Sequence, residues 1–259
     1  MSFSEKVSHM LDFSWEAMDA PLFSSLIIMA ILLILAIIVG ILAKHADPLK
    51  TPRGLLFLVT WAYDKIHAFV IENMGEAFEN YTGYFMCLIP YLGLSFIWGL
   101  TGLPSVIDYL AAPLSLSVIM FVLIHATAIR WQKWHYFSRY VEPFAVFLPI
   151  NLISMWTPII STSMRMFGNC LSGTIIIGLV QWALSNLAAS LFASFTPAGL
   201  VGIFLAPIPM GILNLYFSLF SAFIQTTVFT YLTALWIAAE KPVEESIPGA
   251  VGVLAGDRA

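Results

Sequence analysis

The sequence has 259 residues, of which 60% are hydrophobic and only 10% charged, with a formal net charge of −4 and a mean hydropathy of +0.90. A soluble globular protein carries about 25% charged residues, so this composition excludes a soluble domain and predicts that lipid is the solvent for most of the chain. The apolar stretches are continuous rather than alternating, which argues against a β-barrel. The slightly acidic balance argues against nucleic acid as a partner.

The first part of the chain predicts one membrane-crossing helix followed by one surface helix. Residues 1–21 carry Lys6 against a larger number of acidic side chains, so they do not resemble a cleavable signal and are expected to form an outer N-terminal segment. The apolar run 22–43 is long enough to span a bilayer. Residues 55–80 mix apolar and charged side chains, which predicts an amphipathic helix on the membrane surface.

Two helical hairpins are predicted next. Apolar runs within 83–131 are joined by a short turn bounded by prolines, and a basic loop separates them from the apolar block 143–239. That block divides at Pro and Gly breakers into segments near 143–193 and 207–238. The first is about twice the 20 residues that an upright span needs, so it must tilt, bend or lie partly in the membrane plane.

Together these segments predict an all-α integral membrane protein that forms a single membrane domain over residues 1–259. It has about five membrane-crossing helices plus one interfacial amphipathic helix, and the last two helices are long and tilted. A polar tail, 240–259, follows them. Cys87 and Cys170 lie in apolar runs, where a thiol usually serves as a small hydrophobic side chain, and no zinc spacing or disulfide framework is present. No metal or other cofactor is expected.

Arg165 is the only charged residue between Pro143 and Ala239. A central Arg costs at least about 2.5–3.5 kcal/mol on insertion scales, and no acid in this segment can neutralise it. Snorkelling of the side chain to the headgroups is the alternative that requires no function. Because ionisable residues inside membranes are usually functional, we interpret Arg165 as a functional residue.

Small and polar residues surround this arginine on one predicted helix face. They recur at offsets of three or four, as Ser161, Gly168, Asn169 and Ser172. Such a face allows another helix to approach closely, and the unpaired Arg165 suggests that the approaching helix brings a carboxylate from another chain. A second small and polar face is predicted on the last helix, at Ser218, Ser221, Ala222 and Gln225.

The segments RMFGNCLSG and IQTTVFTYLTALW resemble subunit a of the rotary F-type ATP synthases. FLPINLI at 147–153, YDKIHAFV and LIHATAIR are also similar to segments of that family, and the resemblance covers most of residues 20–238. It implies a stator subunit with two ion half-channels, not itself an enzyme. The implied partners are a ring of small carboxylate-bearing rotor subunits (the c-ring), peripheral stalk subunit b, the rest of the complex and the lipid bilayer. The implied location is an energy-coupling membrane, with the bacterial plasma membrane favoured over the mitochondrial inner membrane.

The resemblance also implies roles for particular residues. Arg165 would drive deprotonation of the rotor carboxylate, with Asn169 and Gln225 as further motif residues and Ser161 as a weaker candidate. Thr174, Ser218 and Ser154 stand where the family often has ionisable residues. Either water and these three hydroxyls conduct the ion on the outer side, or another acid replaces the missing ones.

Two other residues are candidates for the ion path. Asp108, near the outer turn, is the candidate replacement acid, although a carboxylate in a loop is normally just solvated. His125 is expected at the inner end of its helix, where it either lines the inner half-channel or only anchors the helix. The coupling ion, proton or sodium, stays open at this point.

Two other functional classes fit the sequence less well. A secondary ion transporter or channel is the main alternative, but the two halves show neither an inverted repeat nor paired interrupted helices. An intramembrane hydrolase would need a base beside its nucleophile, and residues 143–239 contain serines but neither His nor Asp.

The distribution of Lys and Arg predicts the orientation of the chain. If the first loop is cytoplasmic, nine of the 11 basic residues lie inside and only Lys6 outside, with Arg165 in the membrane. The N-terminus is therefore expected on the outer side, the C-terminus on the inner, nucleotide side, and residues 55–80 along the inner surface. Accessibility labelling of single cysteines placed at either end should find them on opposite sides. Labelling of both ends from one side would contradict this orientation.

Overall fold

The computed structural model describes residues 8, 15–46, 54–101, 105–133, 136, 148–192 and 207–241, and these residues contain helices and turns but no strand. The helices are α1 (Trp15–His45), α2 (Leu55–Met74), α3 (Thr82–Ile97), α4 (Ala111–Gln132), α5 (Leu148–Phe192) and α6 (Pro207–Ala238). Short 3-10 turns at Glu76–Tyr81 and Trp98–Thr101 flank α3. Within these described ranges, five segments are long and apolar enough to cross a membrane, which confirms the predicted all-α membrane class.

The first helix is longer than the predicted 22–43. It begins at Trp15 and continues through Pro21 to His45. Its apolar part has a mean hydropathy of 3.4, and most of its large side chains are exposed, as expected for a lipid-facing helix. Its contacts with the rest of the chain include the fully buried Ile28 and a hydrogen bond of 2.9 Å between the hydroxyls of Ser25 and of Tyr91 in α3.

The predicted surface helix over 55–80 is shorter than expected. α2 ends at Met74 because Gly75 adopts a φ of 90°, a left-handed conformation that glycine adopts without steric cost. The chain then turns through Glu76–Tyr81 into α3, and the apolar span begins at Glu76. α2 buries Val70 and leaves Asp64 exposed, so it is amphipathic. Its position on the membrane surface stays a prediction.

The predicted hairpin over 83–131 is not a close-packed pair. α3 packs mainly against α6, and α4 packs mainly against α5. The α3 contact buries Phe85 and Leu92 completely, and the ring of Phe69 from α2 meets Phe85 and Tyr231 edge-on, at 5.8 and 4.8 Å between ring centroids. In lipid, such helix association depends on packing and interhelical hydrogen bonds rather than on exclusion of water.

The last two helices match the predicted lengths. α5 has 45 residues and α6 has 32, so at 1.5 Å per residue they are about 68 and 48 Å long. Both exceed an upright span and must tilt or extend beyond the hydrocarbon. α5 is continuous through Gly168, Gly173 and Gly178, so none of the three interrupts it. The predicted ends at 143–147 and the connection 193–206 lie outside the described residues.

Candidate functional site

Arg165 projects from an exposed face of α5. Its Nη2 donates one long hydrogen bond, 3.4 Å, to the hydroxyl of Ser161 one turn earlier. Within the described parts of the chain, no carboxylate forms an ion pair with it. As the sequence predicted, the described residues of this chain therefore supply no counter-charge for Arg165, and its side chain is exposed.

The predicted small and polar faces of α5 and α6 differ in burial. On α5, Ser172 is exposed, and a side chain added at Gly168 would meet no atom within 4 Å. On α6, by contrast, Ser221 and Ala222 are buried inside the chain, and Gln225 is only 2% exposed. The α5 face is thus open to another molecule, whereas the α6 face is used for packing within the chain.

Gln225 does not contact Arg165 by a hydrogen bond. Its Nε2 is buried and has no partner, and a buried polar group left unsatisfied costs about 1–3 kcal/mol. The structure therefore shows no hydrogen bond between these two predicted residues, and a buried amide without a partner at position 225 does not stabilise the chain.

A polar cavity of about 280 Å³ lies beside the segment 105–110, between the end of α3 and the facing sides of α5 and α6. We call it the Asp108 cavity. It brings Asp108 together with three predicted residues, Asn169, Thr174 and Ser218. Further polar lining comes from Ser105, Cys170, Asn214 and Ser221. The cavity places the candidate replacement acid beside two of the positions, Thr174 and Ser218, where the family often has ionisable residues.

Asp108 is held inside this cavity by two hydrogen bonds. The Cys170 thiol donates to its Oδ1 at 2.7 Å, and Ser105 also bonds its side chain. Burial raises the pKa of Asp108 above its usual range, and the two hydrogen bonds lower it in part because they stabilise the carboxylate. Asp108 is half-buried and bonded to Cys170 in the middle of α5, which argues against its interpretation as a merely solvated loop residue.

A second polar cavity, of about 290 Å³, lies at the other end of the bundle. We call it the His125 cavity. It is formed by α4, α5, Tyr136 and the end of α6, and its polar lining is His125, Tyr136, Asn151, Ser154 and Glu240. His125 therefore lines a cavity, which favours the first of its two predicted roles.

Ser154 does not join Thr174 and Ser218 as expected. It lies in the His125 cavity, exposed, and donates to the carbonyl of Ile150 at 2.9 Å. The reason is the continuity of α5: twenty residues of unbroken helix separate Ser154 from Thr174 by about 30 Å. A single relay that contains all three hydroxyls is excluded.

Glu240 and Cys170 are among the cavity residues that the sequence analysis missed. Glu240 marked only the end of the apolar block, yet Gln132 donates to its backbone oxygen at 3.0 Å and to its Oε2 at 3.2 Å. Cys170 was taken as a small hydrophobic side chain, yet it binds Asp108. The only sequence signal for Cys170 was its position directly after Asn169.

Arg165 lies between the two cavities along α5. Pro158, in the His125 cavity, is two turns before it, and Asn169, in the Asp108 cavity, is about one turn after it. Along the helix axis these steps are about 10 and 6 Å. One fixed positive charge thus stands, along the α5 axis, between two polar cavities that lie toward different ends of the bundle.

Comparison with known proteins gives one consistent match. The profile of a family described as ATP synthase A chain matches residues 22–238. Similar proteins include subunit a of ATP synthase from Mycoplasma genitalium, 27% identical over 220 residues (80% of this chain and 74% of the relative). The corresponding subunits of Granulibacter bethesdensis and Priestia megaterium are 28% and 26% identical, over 78% and 83% of this chain and 82% and 90% of theirs.

The Cys170–Asp108 hydrogen bond predicts a shift in carboxyl reactivity. Carbodiimides modify the protonated carboxyl, so reactivity persists to higher pH when the pKa is higher. Cys170→Ala removes a donor that lowers the pKa of Asp108, so Asp108 should stay reactive to a higher pH than in the parent. Cys170→Ser, which keeps a donor, is the matched control and should change the profile less. Mass spectrometry of protein modified across a pH series measures this, and identical profiles for all three proteins would contradict the assignment.

Proposed function

Since the chain belongs to the ATP synthase A chain family, we propose that it is the ion-conducting stator subunit of an F-type synthase. In this role it faces a rotating ring of small subunits, each with one carboxylate within the membrane. The subunit performs no ATP chemistry on its own; it supplies the ion path that couples proton flow to rotation. Its apolar spans and its family agree with a multi-pass membrane protein of ATP synthesis.

One observation carries the proposal: an exposed, unpaired guanidinium stands between two polar cavities on one continuous helix. A permanent charge in hydrocarbon needs a counter-charge, and the described residues of this chain do not provide one. A carboxylate arriving on the rotor would supply it. The open space at Gly168 leaves room for that helix to approach.

The chemistry follows from the guanidinium. It stays protonated at any accessible pH, and an opposite charge nearby lowers the pKa of a carboxyl group. A rotor carboxyl that approaches Arg165 therefore releases its proton. Once past the arginine, it takes up a proton from the other cavity and can then return to lipid in its neutral form.

The two cavities would serve as the two half-channels. During synthesis the Asp108 cavity supplies protons from the outer side, and the His125 cavity receives protons released toward the inner side. Arg165 keeps the two paths separate, because its fixed charge repels a proton that would otherwise pass directly from one cavity to the other. Asn169 lines the outer path beside the arginine.

The partners and membrane follow from this role. The exposed α5 face would contact the c-ring, and peripheral stalk subunit b with the rest of the complex would prevent the stator from turning with the rotor. The bacterial relatives favour a bacterial plasma membrane, with the mitochondrial inner membrane as the alternative. The carboxyl, thiol and imidazole groups at the two cavities favour the proton as the coupling ion.

Replacement of Arg165 tests the central role. Arg165→Ala should lower proton-driven ATP synthesis by about 10²–10³-fold or more, the cost of removing one fixed electrostatic group from a reaction site, while the complex still assembles. Arg165→Lys should restore little, because a desolvated Lys can lose its proton. Arg130→Ala, which removes an exposed arginine from the last turn of α4, is the control and should retain synthesis. Substantial coupled synthesis by Arg165→Ala would favour the snorkelling interpretation instead.

Replacement of Asp108 tests the outer path. Burial raises the pKa of Asp108, so this carboxyl exchanges protons at a higher pH than it would in solution. Asp108→Asn should slow ATP-driven proton pumping by about tenfold, less than the roughly 10²–10⁴-fold effect of a positioned acid or base, because water and nearby hydroxyls still conduct. It should also shift the dependence on external pH, whereas Asp108→Glu should preserve most of the activity. With the exposed Asp64→Asn as control, an unchanged rate and profile for Asp108→Asn would remove Asp108 from the path.

A further inference from the structure

The His125 cavity contains two titratable groups that are far apart in sequence and have no assigned task. His125 comes from α4, and Glu240 follows the end of α6. Both line a cavity at the end of the bundle that the predicted topology places on the inner side. Their common position raises the question of how a proton released near Arg165 reaches the inner aqueous phase.

The hydrogen bond of His125 fixes its tautomer. Its Nδ1 lies 2.8 Å from the carbonyl oxygen of Phe121, and a carbonyl can only accept. Nδ1 therefore carries the hydrogen, and in the neutral ring Nε2 carries the lone pair. Nε2 is buried and has no hydrogen-bond partner in the structure, so it is the ring atom at which a proton can bind without breaking an existing contact.

Aromatic packing holds this ring in place. The Phe121 ring lies 3.8 Å from the imidazole, centroid to centroid, and Tyr136 meets the imidazole edge-on at 5.8 Å. The imidazole thus keeps its orientation while the charge on Nε2 changes. The Phe121 carbonyl accepts from Nδ1 in both the neutral and the charged ring, so protonation requires no rearrangement of α4.

Glu240 is the carboxylate that shares this cavity. It is 7% exposed, and Gln132 donates to both its backbone oxygen and its Oε2. The neighbouring Lys241 places its ammonium 5.3 Å from the centre of the Trp131 ring. Gln132 therefore fixes the Glu240 carboxylate against the end of α4 while the side chain still lines the cavity.

Among the described residues, the rest of the lining offers no competing titratable group near neutral pH. Tyr136 is a phenol, and the α5 side chains that line the cavity are Asn151, Ser154, Met155 and Pro158. The Ser154 hydroxyl does not titrate in the physiological range and already donates to Ile150. With a volume of about 290 Å³, the cavity has room for several water molecules, which can connect the imidazole to the carboxylate.

We propose that His125 and Glu240 form a proton relay through the inner half-channel, with His125 as the acceptor nearer the rotor and Glu240 as the group that passes the proton to the inner solution. The inference rests on the proposed stator function. In the synthesis direction, the O–H bond of the rotor carboxylic acid breaks and an N–H bond forms on Nε2, which gives an imidazolium. That proton then moves through cavity water to a carboxylate oxygen of Glu240, which restores the neutral imidazole, and from there to solvent. ATP-driven pumping uses the same steps in reverse.

The experiment uses the assembled synthase in inverted vesicles, in which the nucleotide side of the membrane faces the medium. The pH of the medium is therefore the pH at the inner side of the subunit, called the inner pH below. The rate of ATP-driven proton pumping is measured across a series of inner pH values between about 5 and 8. His125→Gln should lower the rate by about tenfold, below the roughly 10²–10⁴-fold effect of a positioned acid or base because water replaces part of the path, and should flatten the dependence on inner pH. Glu240→Gln should show a smaller loss in the same direction.

His45 provides a matched control. Its Nδ1 bonds the carbonyl of Ile41 at 2.9 Å, four residues earlier, as His125 bonds Phe121, but His45 is exposed at the end of α1 and lines neither cavity. His45→Gln should leave the rate and the pH profile unchanged. A chemical rescue separates proton transfer from packing: His125→Ala vacates the ring position, and added imidazole should restore its pumping but not that of Arg165→Ala.

Two results would overturn the relay. The first is wild-type rate and pH profile for His125→Gln. The second is a lowered rate with an unchanged pH profile and no rescue of His125→Ala by imidazole, which would mean that the ring only supports packing. Either result, combined with an inactive Arg165→Ala, would leave the proposed stator function intact. A fully active Arg165→Ala would instead refute that function, whatever His125 does.

Discussion

The rest of the structure depends on one unbalanced charge. Arg165 sits in the longest apolar block of the chain, and no described residue pairs with it. An arginine at that depth costs at least about 2.5–3.5 kcal/mol, and the structure does not reduce this cost by burying the guanidinium against an acid of its own. It leaves the guanidinium exposed on α5 instead. A chain built this way requires a partner that brings negative charge, and this need is the physical basis of the proposed function.

Because α5 is continuous, Arg165 lies between the two cavities along the helix and separates them. Backbone groups in hydrocarbon must be satisfied within the helix, so a long unbroken helix is the stable choice even where glycines would permit a bend. Because the helix is continuous, the number of residues between two positions gives their separation along the helix axis. Pro158, Arg165 and Asn169 therefore follow one another along one axis. A bend or unwound turn at Gly168 would have allowed the two cavities to approach each other. The unbroken helix keeps them apart.

Titratable groups enter both cavities from elements remote in sequence. Asp108 comes from the segment between α3 and α4 and binds Cys170, 62 residues later. Glu240 binds Gln132 across a separation of 108 residues. The stretch 143–239 contains no carboxylate or imidazole of its own, so any proton-exchanging group near Arg165 has to come from its packing partners. The long helix α5 fixes the position of Arg165, and the neighbouring segments contribute the carboxyl and imidazole groups that can exchange protons.

The sequence by itself determined the membrane class, the ranges of α5 and α6 and the importance of Arg165, because continuous hydropathy and a missing counter-charge are local properties of the chain. It misplaced the start of α1 and the end of α2, where the break depends on the φ of Gly75. Only the tertiary structure decided that Asp108 is half-buried and bonded to α5, that Ser154 and Thr174 lie in different cavities and that Glu240 shares one with His125. These relations depend on which helix faces pack together. Such packing is set by side-chain fit between distant segments, and hydropathy and spacing along the chain do not specify it.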